Sequence, residues 1–78
     1  MVTTARFHLT FPHHLISEPV IHRVGKDFGL VTNIRRANIE ERQAWVILEV
    51  EGSDEAIGRA LTWLAEQGLQ VDRLEDAT

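Results

Sequence analysis

A four-stranded antiparallel sheet with two helices on one face is the fold this sequence predicts, and three features predict it. Phe7, Leu9 and Phe11 alternate with Arg6, His8 and Thr10, the period of a half-buried strand. Val20, Ile21, Val24 and Phe28 recur at helical spacing, and Ile57, Ala60, Leu61 and Leu64 repeat the pattern. Glycines and polar clusters divide these runs into the order strand, helix, strand, strand, helix, strand.

The first strand stops at Pro12, which has no N–H to donate, and His13-His14-Leu15-Ile16 connects it onward. Ser17 is placed to cap the first helix, with Glu18 and Pro19 in its first turn. Gly25 inside that helix implies close packing or local give, and Gly29 supplies a left-handed stop. Val31 to Ile39 reads as the second strand and Ala44 to Glu51 as the third, joined by Glu40-Glu41-Arg42-Gln43. That link has no Asn-Gly or Asp-Gly signal, so its turn type stays open. Gly52 is expected to break the third strand. Ser53 then caps the second helix, and Asp54 and Glu55 complement its positive end. Gly68 ends the helix, and Leu69 to Leu74 is the last strand. Residues 1–4 and 76–78 are expected to fray, leaving 5–75 as a single domain.

Two split βαβ units in this order make a ferredoxin-like α+β sandwich. Its predicted core is Phe7, Leu9, Phe11, Val20, Val24, Phe28, Val46, Leu48, Ile57, Leu61 and Leu64. In the third strand Val46, Leu48 and Val50 share the helix-covered face, while Trp45, Ile47, Glu49 and Glu51 share the other. Trp45 and Ile47 therefore project from an uncovered face beside His8 and Thr10, and these two residues, with His8, are the expected interface. A 78-residue chain without a cysteine rarely gains more than about 3–5 kcal/mol from its core, so self-association as a homodimer or larger is expected.

Composition excludes several functions. The absence of cysteine removes disulfide scaffolds, thiolate zinc sites, iron–sulfur ligation and thiol nucleophiles from these 78 residues. Eight Lys and Arg against twelve Asp and Glu give a net charge of −4, the wrong sign for nucleic acid as the main partner. The longest apolar run, Ala44 to Leu48, is strand-sized, so no membrane insertion is expected and the chain reads as cytoplasmic.

Beyond fold, Glu18-Pro19-Val20-Ile21, Asp27-Phe28-Gly29, Val31-Thr32-Asn33-Ile34 and Ala37-Asn38-Ile39 follow one another at a particular spacing. Val50-Glu51-Gly52, Ala56-Ile57, Ala60-Leu61, Trp63-Leu64 and Gly68-Leu69-Gln70-Val71 continue the set to Leu74. This ordered set, from Phe7 to Leu74, resembles the NIL domain, a family named for an Asn-Ile-Leu triplet. It is found at the C-terminus of ATPase subunits of methionine importers. The resemblance implies a ferredoxin-like regulatory domain that pairs with a second copy and binds a small amino acid, typically methionine, or a related sulfur metabolite. The triplet here reads Asn33-Ile34-Arg35, a cation in place of Leu, and the hairpin lacks the glycines common in the family. No Walker A sequence occurs, so the domain is expected to act on a partner in trans.

Asn33, Ile34 and Arg35 are the expected ligand residues. The Asn33 carboxamide suits the ammonium and carboxylate of an amino acid, Ile34 offers an apolar wall, and Arg35 can fork a carboxylate. Two of them also have a plainer reading: Asn33 as a satisfied strand residue, and Arg35 as a solvated one near Glu49. His8, His13, His14 and His22 show no zinc spacing, so no metal or cofactor is expected. No glycine-bounded phosphate loop follows the first strand and no nucleophile–base set is evident, so the chain is not expected to be an enzyme. The alternative to ligand sensing is an adaptor that oligomerises or binds a protein through its open sheet face.

Overall fold

The structure, a computed structural model, describes residues 2–15 and 19–74. In chain order these form β1 (Val2–Phe11), a short 3-10 turn (His13–Leu15), α1 (Val20–Phe28), β2 (Val31–Ile39), β3 (Ala44–Ser53), α2 (Asp54–Gln67) and β4 (Gln70–Leu74). The sheet is antiparallel throughout in the order β2-β3-β1-β4, so the two strands with the clearest alternation are central. That is the ferredoxin-like arrangement expected from the sequence.

Register explains the alternation. Phe7 opposes Leu48 and Leu9 opposes Val46, so their side chains meet on the helix-covered face. Phe7, Leu9, Leu48 and Val24 are the largest fully buried side chains. Val20, Ile57, Ala60 and Leu64 close the core from above, with Leu30 and Leu69 added at the helix exits. Phe28 and Leu61, expected in the core, only flank it and stay part-exposed. Phe28 lies at the last turn of α1, where its ring tilts against Trp63 at 5.8 Å instead of entering the interior.

Several boundaries differ from expectation. Val2 to Thr4 are not frayed: they extend β1 and pair with Ser53 to Glu51, because β3 runs on past Gly52 to Ser53. Gly52 does not break that strand. It makes room, since a Cβ there would run into the Cδ2 atom of Leu30, which packs over it. Pro19 occupies the cap position of α1, so the helix starts at Val20; the Ser17 cap lies outside the described residues, as does the 76–78 tail. Leu69 belongs to the end of α2: its N–H returns to the Leu64 carbonyl at 3.2 Å, beside Gly68 at φ 102°.

The Glu40 N–H donates to the Gln43 carbonyl at 2.8 Å, closing the hairpin, and neither central residue has positive φ, which rules out the primed turn types. The Ser53 hydroxyl accepts from the Ala56 N–H at 3.1 Å, satisfying one free donor at the start of α2. Ser53→Ala is expected to cost about 0.5–2 kcal/mol. Thermal unfolding followed by circular dichroism checks this: Tm should fall by roughly 4–8 °C for each kcal/mol in a domain of this size. Ser53→Asp should leave Tm close to wild type.

Among the described residues, no helix is long and apolar enough to cross a membrane.

Candidate functional site: an apolar groove beside the edge strand

β2 is the outer strand on one side of the sheet, and among the described residues it pairs only with β3, which leaves the N–H and C=O groups along its outer edge without a strand partner there. Paired residues share a face, so register assigns each β2 side chain. Thr32, Ile34, Ala37 and Ile39 oppose Val50, Leu48, Val46 and Ala44, and lie on the helix side. Val31, Asn33, Arg36 and Asn38 oppose Glu51, Glu49, Ile47 and Trp45, on the open side. A bulge between Ile34 and Arg36 makes Arg35 the extra residue and reverses the phase of the strand. Without it, Ile34 and Ala37 would point to opposite faces.

On the helix side, β2 and the first turns of α1 leave a groove of about 190 Å³ between them. Phe11, Val20 and Ile21 form one wall, and Ile34, Ala37 and Ile39 form the other. His22 is the ionisable side chain on its lining. Ile34 and Ile39 are 52% and 68% exposed, large values for isoleucine in a folded domain. The volume is below the roughly 300–1,000 Å³ of pockets that enclose drug-sized ligands. It is enough for one small apolar side chain.

The structure separates the expected ligand residues. Ile34 lines the groove, Asn33 faces the opposite side across from Glu49, and Arg35 sits in the bulge. Asn33 and Ile34 therefore lie on opposite faces of β2. Arg35 does not engage Glu49, whose carboxylate accepts from Arg6 Nε at 3.0 Å on the open face.

The expected interface residues do share that open face. His8 and Trp45 stack, with centroids 5.3 Å apart and planes 21° from parallel, and Ile47 lies directly opposite His8. All three are half-buried, partly by one another. Among the described residues the exposed large hydrophobics are Val2, Val31, Ile34 and Ile39, so most of the uncovered apolar surface belongs to β2. Ala37 and Ile39, with the α1 residues facing them, are groove residues that the sequence reading does not single out. The signal for them is three apolar residues at positions 34, 37 and 39 among the polar residues that follow Val31.

The histidines are dispersed. His13 donates from Nδ1 to the Glu41 carbonyl at 3.1 Å, tying the 3-10 turn to the hairpin, and His14 is exposed beside it. Among the described residues, no three His, Asp or Glu side chains gather to hold a metal ion.

A scan against protein families matches residues 5–73 to the NIL domain. The chain belongs to the NIL domain family. Among curated proteins, this NIL domain is 40% identical over 53 residues to the L-aspartate semialdehyde sulfurtransferase iron-sulfur subunit of Methanocaldococcus jannaschii. The match covers 68% of this chain but only 40% of that subunit. Among solved structures, the C-terminal domain of an ABC transporter ATP-binding protein from Enterococcus faecalis superposes with a TM-score of 0.80. It is 14% identical, and the match covers 92% of this chain and 84% of that one, which shows a shared fold. AgrE, crystallised with ornithine and NAD+, shares the fold at a TM-score of 0.66 and 17% identity. That match covers 88% of this chain and 11% of AgrE.

Proposed function

We propose that this NIL domain is a non-catalytic binding module that takes a small amino acid, methionine or a related sulfur metabolite, and passes its occupancy to a protein partner in trans. The observation that carries this reading is the apolar groove bordered by an unpaired strand edge. A thioether or aliphatic side chain lies against Ile34, Ala37 and Ile39. The charged head stays at the outer edge of β2, where backbone N–H and C=O groups can hold a carboxylate and an ammonium. The Asn33 carboxamide reaches that head from the other face of the strand. The family supports the regulatory role, and the sulfurtransferase relative supports a sulfur-linked ligand.

A thermal-shift panel of amino acids and sulfur metabolites tests the reading. A true ligand at about 100 times its Kd adds about 2.7 kcal/mol of stability, which raises Tm by roughly 10 °C or more in a domain this small. No shift with any amino acid or thioether contradicts it. That result favours the adaptor reading, for which the exposed apolar residues of β2 and the uncovered face around Trp45 are the supporting observations.

Asn33→Ala, at an exposed strand position, should leave the fold intact. It should weaken binding by about 1–3 kcal/mol if its amide meets a charged head group. Calorimetry on the ligand found in the panel reads this directly, and unchanged affinity removes Asn33 from the site.

A further inference from the structure

We propose that the outer edge of β2 docks an extended segment of a partner protein, an apolar residue followed by a carboxylate, and that methionine displaces it. The inference rests on the groove as the ligand site and names the partner chemistry that the same site reads. β2 is nine residues long against five for β4, the other outer strand, so it presents the longer row of backbone groups. A strand added there lies about 4.8 Å away and continues the alternation of faces. Its residue opposite Ala37 points to the helix side, as Ala37 does. Ala37 is the smallest residue on the β2 wall of the groove, so the wall is lowest there, between Ile34 and Ile39. A valine, leucine or methionine side chain passing over Ala37 enters a space of about 190 Å³, enough for one such group.

Charge decides the next position. In antiparallel pairing the residue after this anchor faces Arg36 on the open side, with Arg35 beside it in the bulge. Both arginines are exposed, and neither joins the ion pairs found among the described residues. A carboxylate at that position gains two cations, whereas an ammonium meets them as like charges. The residue before the anchor faces Asn38, a neutral amide whose Nδ2 donates to Glu40 Oε1 at 3.2 Å, so that position carries no charge requirement.

The bulge interrupts the edge at Arg35, so the docked stretch runs only from Arg36 to Ile39. A contact this short is weak and exchanges rapidly, which suits a regulated partner. The anchor fills the space that the ligand side chain needs, and its backbone pairs with the edge groups that hold the ligand head. Segment and ligand therefore exclude one another, and each lowers the affinity of the other. Displacement is the route by which occupancy of the groove reaches the partner.

Fluorescence anisotropy of short labelled peptides, at up to about 1 mM protein, tests the proposal. Each peptide is serine and threonine throughout except for a central valine and the residue after it. The valine–glutamate peptide should bind at least about tenfold more tightly than the valine–lysine peptide. Arg35→Glu with Arg36→Glu should reverse that order, both positions being exposed and so not needed for folding. Replacing the valine by serine should abolish binding. L-Methionine should displace the valine–glutamate peptide, with an inhibition constant equal to its own Kd from calorimetry. No binding of either peptide, an unchanged order in the double variant, or a bound peptide that saturating methionine leaves in place would each overturn the proposal. Calorimetry with methionine alone separates the two claims: a chain that binds methionine but neither peptide keeps its ligand site and loses only the docked partner.

Discussion

Leu48→Ala is expected to remove about 2–5 kcal/mol of folding free energy. Leu48 is 0% exposed, and its β3 position is flanked by Phe7 on β1 and Ile34 on β2. Truncation leaves a cavity under both helices that the sheet cannot collapse to fill. Stability of this chain length is on the order of 4–12 kcal/mol in total, so the loss is a large fraction of it. Urea unfolding should show a lower midpoint with an unchanged slope. Ile47→Ala, the neighbour on the open face, should cost roughly half as much or less, because Ile47 is only half-buried. Equal costs for the two would mean that the faces of β3 are assigned the wrong way round.

The second large effect concerns binding. Ala37 is exposed and lines the groove between Ile34 and Ile39. Ala37→Trp places an indole in a space of about 190 Å³, enough to occupy most of it. Affinity for the ligand should fall by about 100-fold or more, equivalent to about 2.7 kcal/mol. Tm in the absence of ligand should stay near wild type, since aromatic residues are well tolerated on strands. Calorimetry and thermal unfolding of the same sample read both quantities. Unchanged affinity in the Ala37→Trp variant would place the ligand elsewhere.

The parts of the fold legible in the sequence are those where one rule acts alone. β1 and β3 are central strands with one covered face, so strict alternation of Phe7, Leu9 and Phe11, and of Val46, Leu48 and Val50, reports burial directly. Ser53 and Gly68 act locally, within one helical turn, and their roles are readable for that reason. Gly52 looks like a strand breaker in the sequence because its true cause is tertiary: Leu30 packs over it from outside the strand. The N-terminal residues mislead for the same reason, since Val2 to Thr4 are ordered by the far end of β3, some fifty positions away along the chain.

The site is legible in composition but not in geometry. Asn33, Ile34 and Arg35 stand out through family resemblance, and Ile34 does line the groove. The bulge at Arg35 is invisible, because one inserted residue leaves no mark in a strand without alternation. It is the bulge that brings Ile34, Ala37 and Ile39 to one face and leaves Asn33 on the other. The expected interface at Trp45, Ile47 and His8 rests on a bare sheet face. In the structure those residues cover one another, and the larger exposed apolar area lies at the edge.

A titration of isotope-labelled protein with L-methionine, followed by amide chemical shifts, tests whether the groove between α1 and β2 receives the ligand. Shifts should concentrate at Val20, Ile21 and the β2 residues from Asn33 to Ile39, with His8, Trp45 and Ile47 on the open face little changed. Shifts confined to the open face, or none at saturating methionine and related thioethers, would contradict the claim.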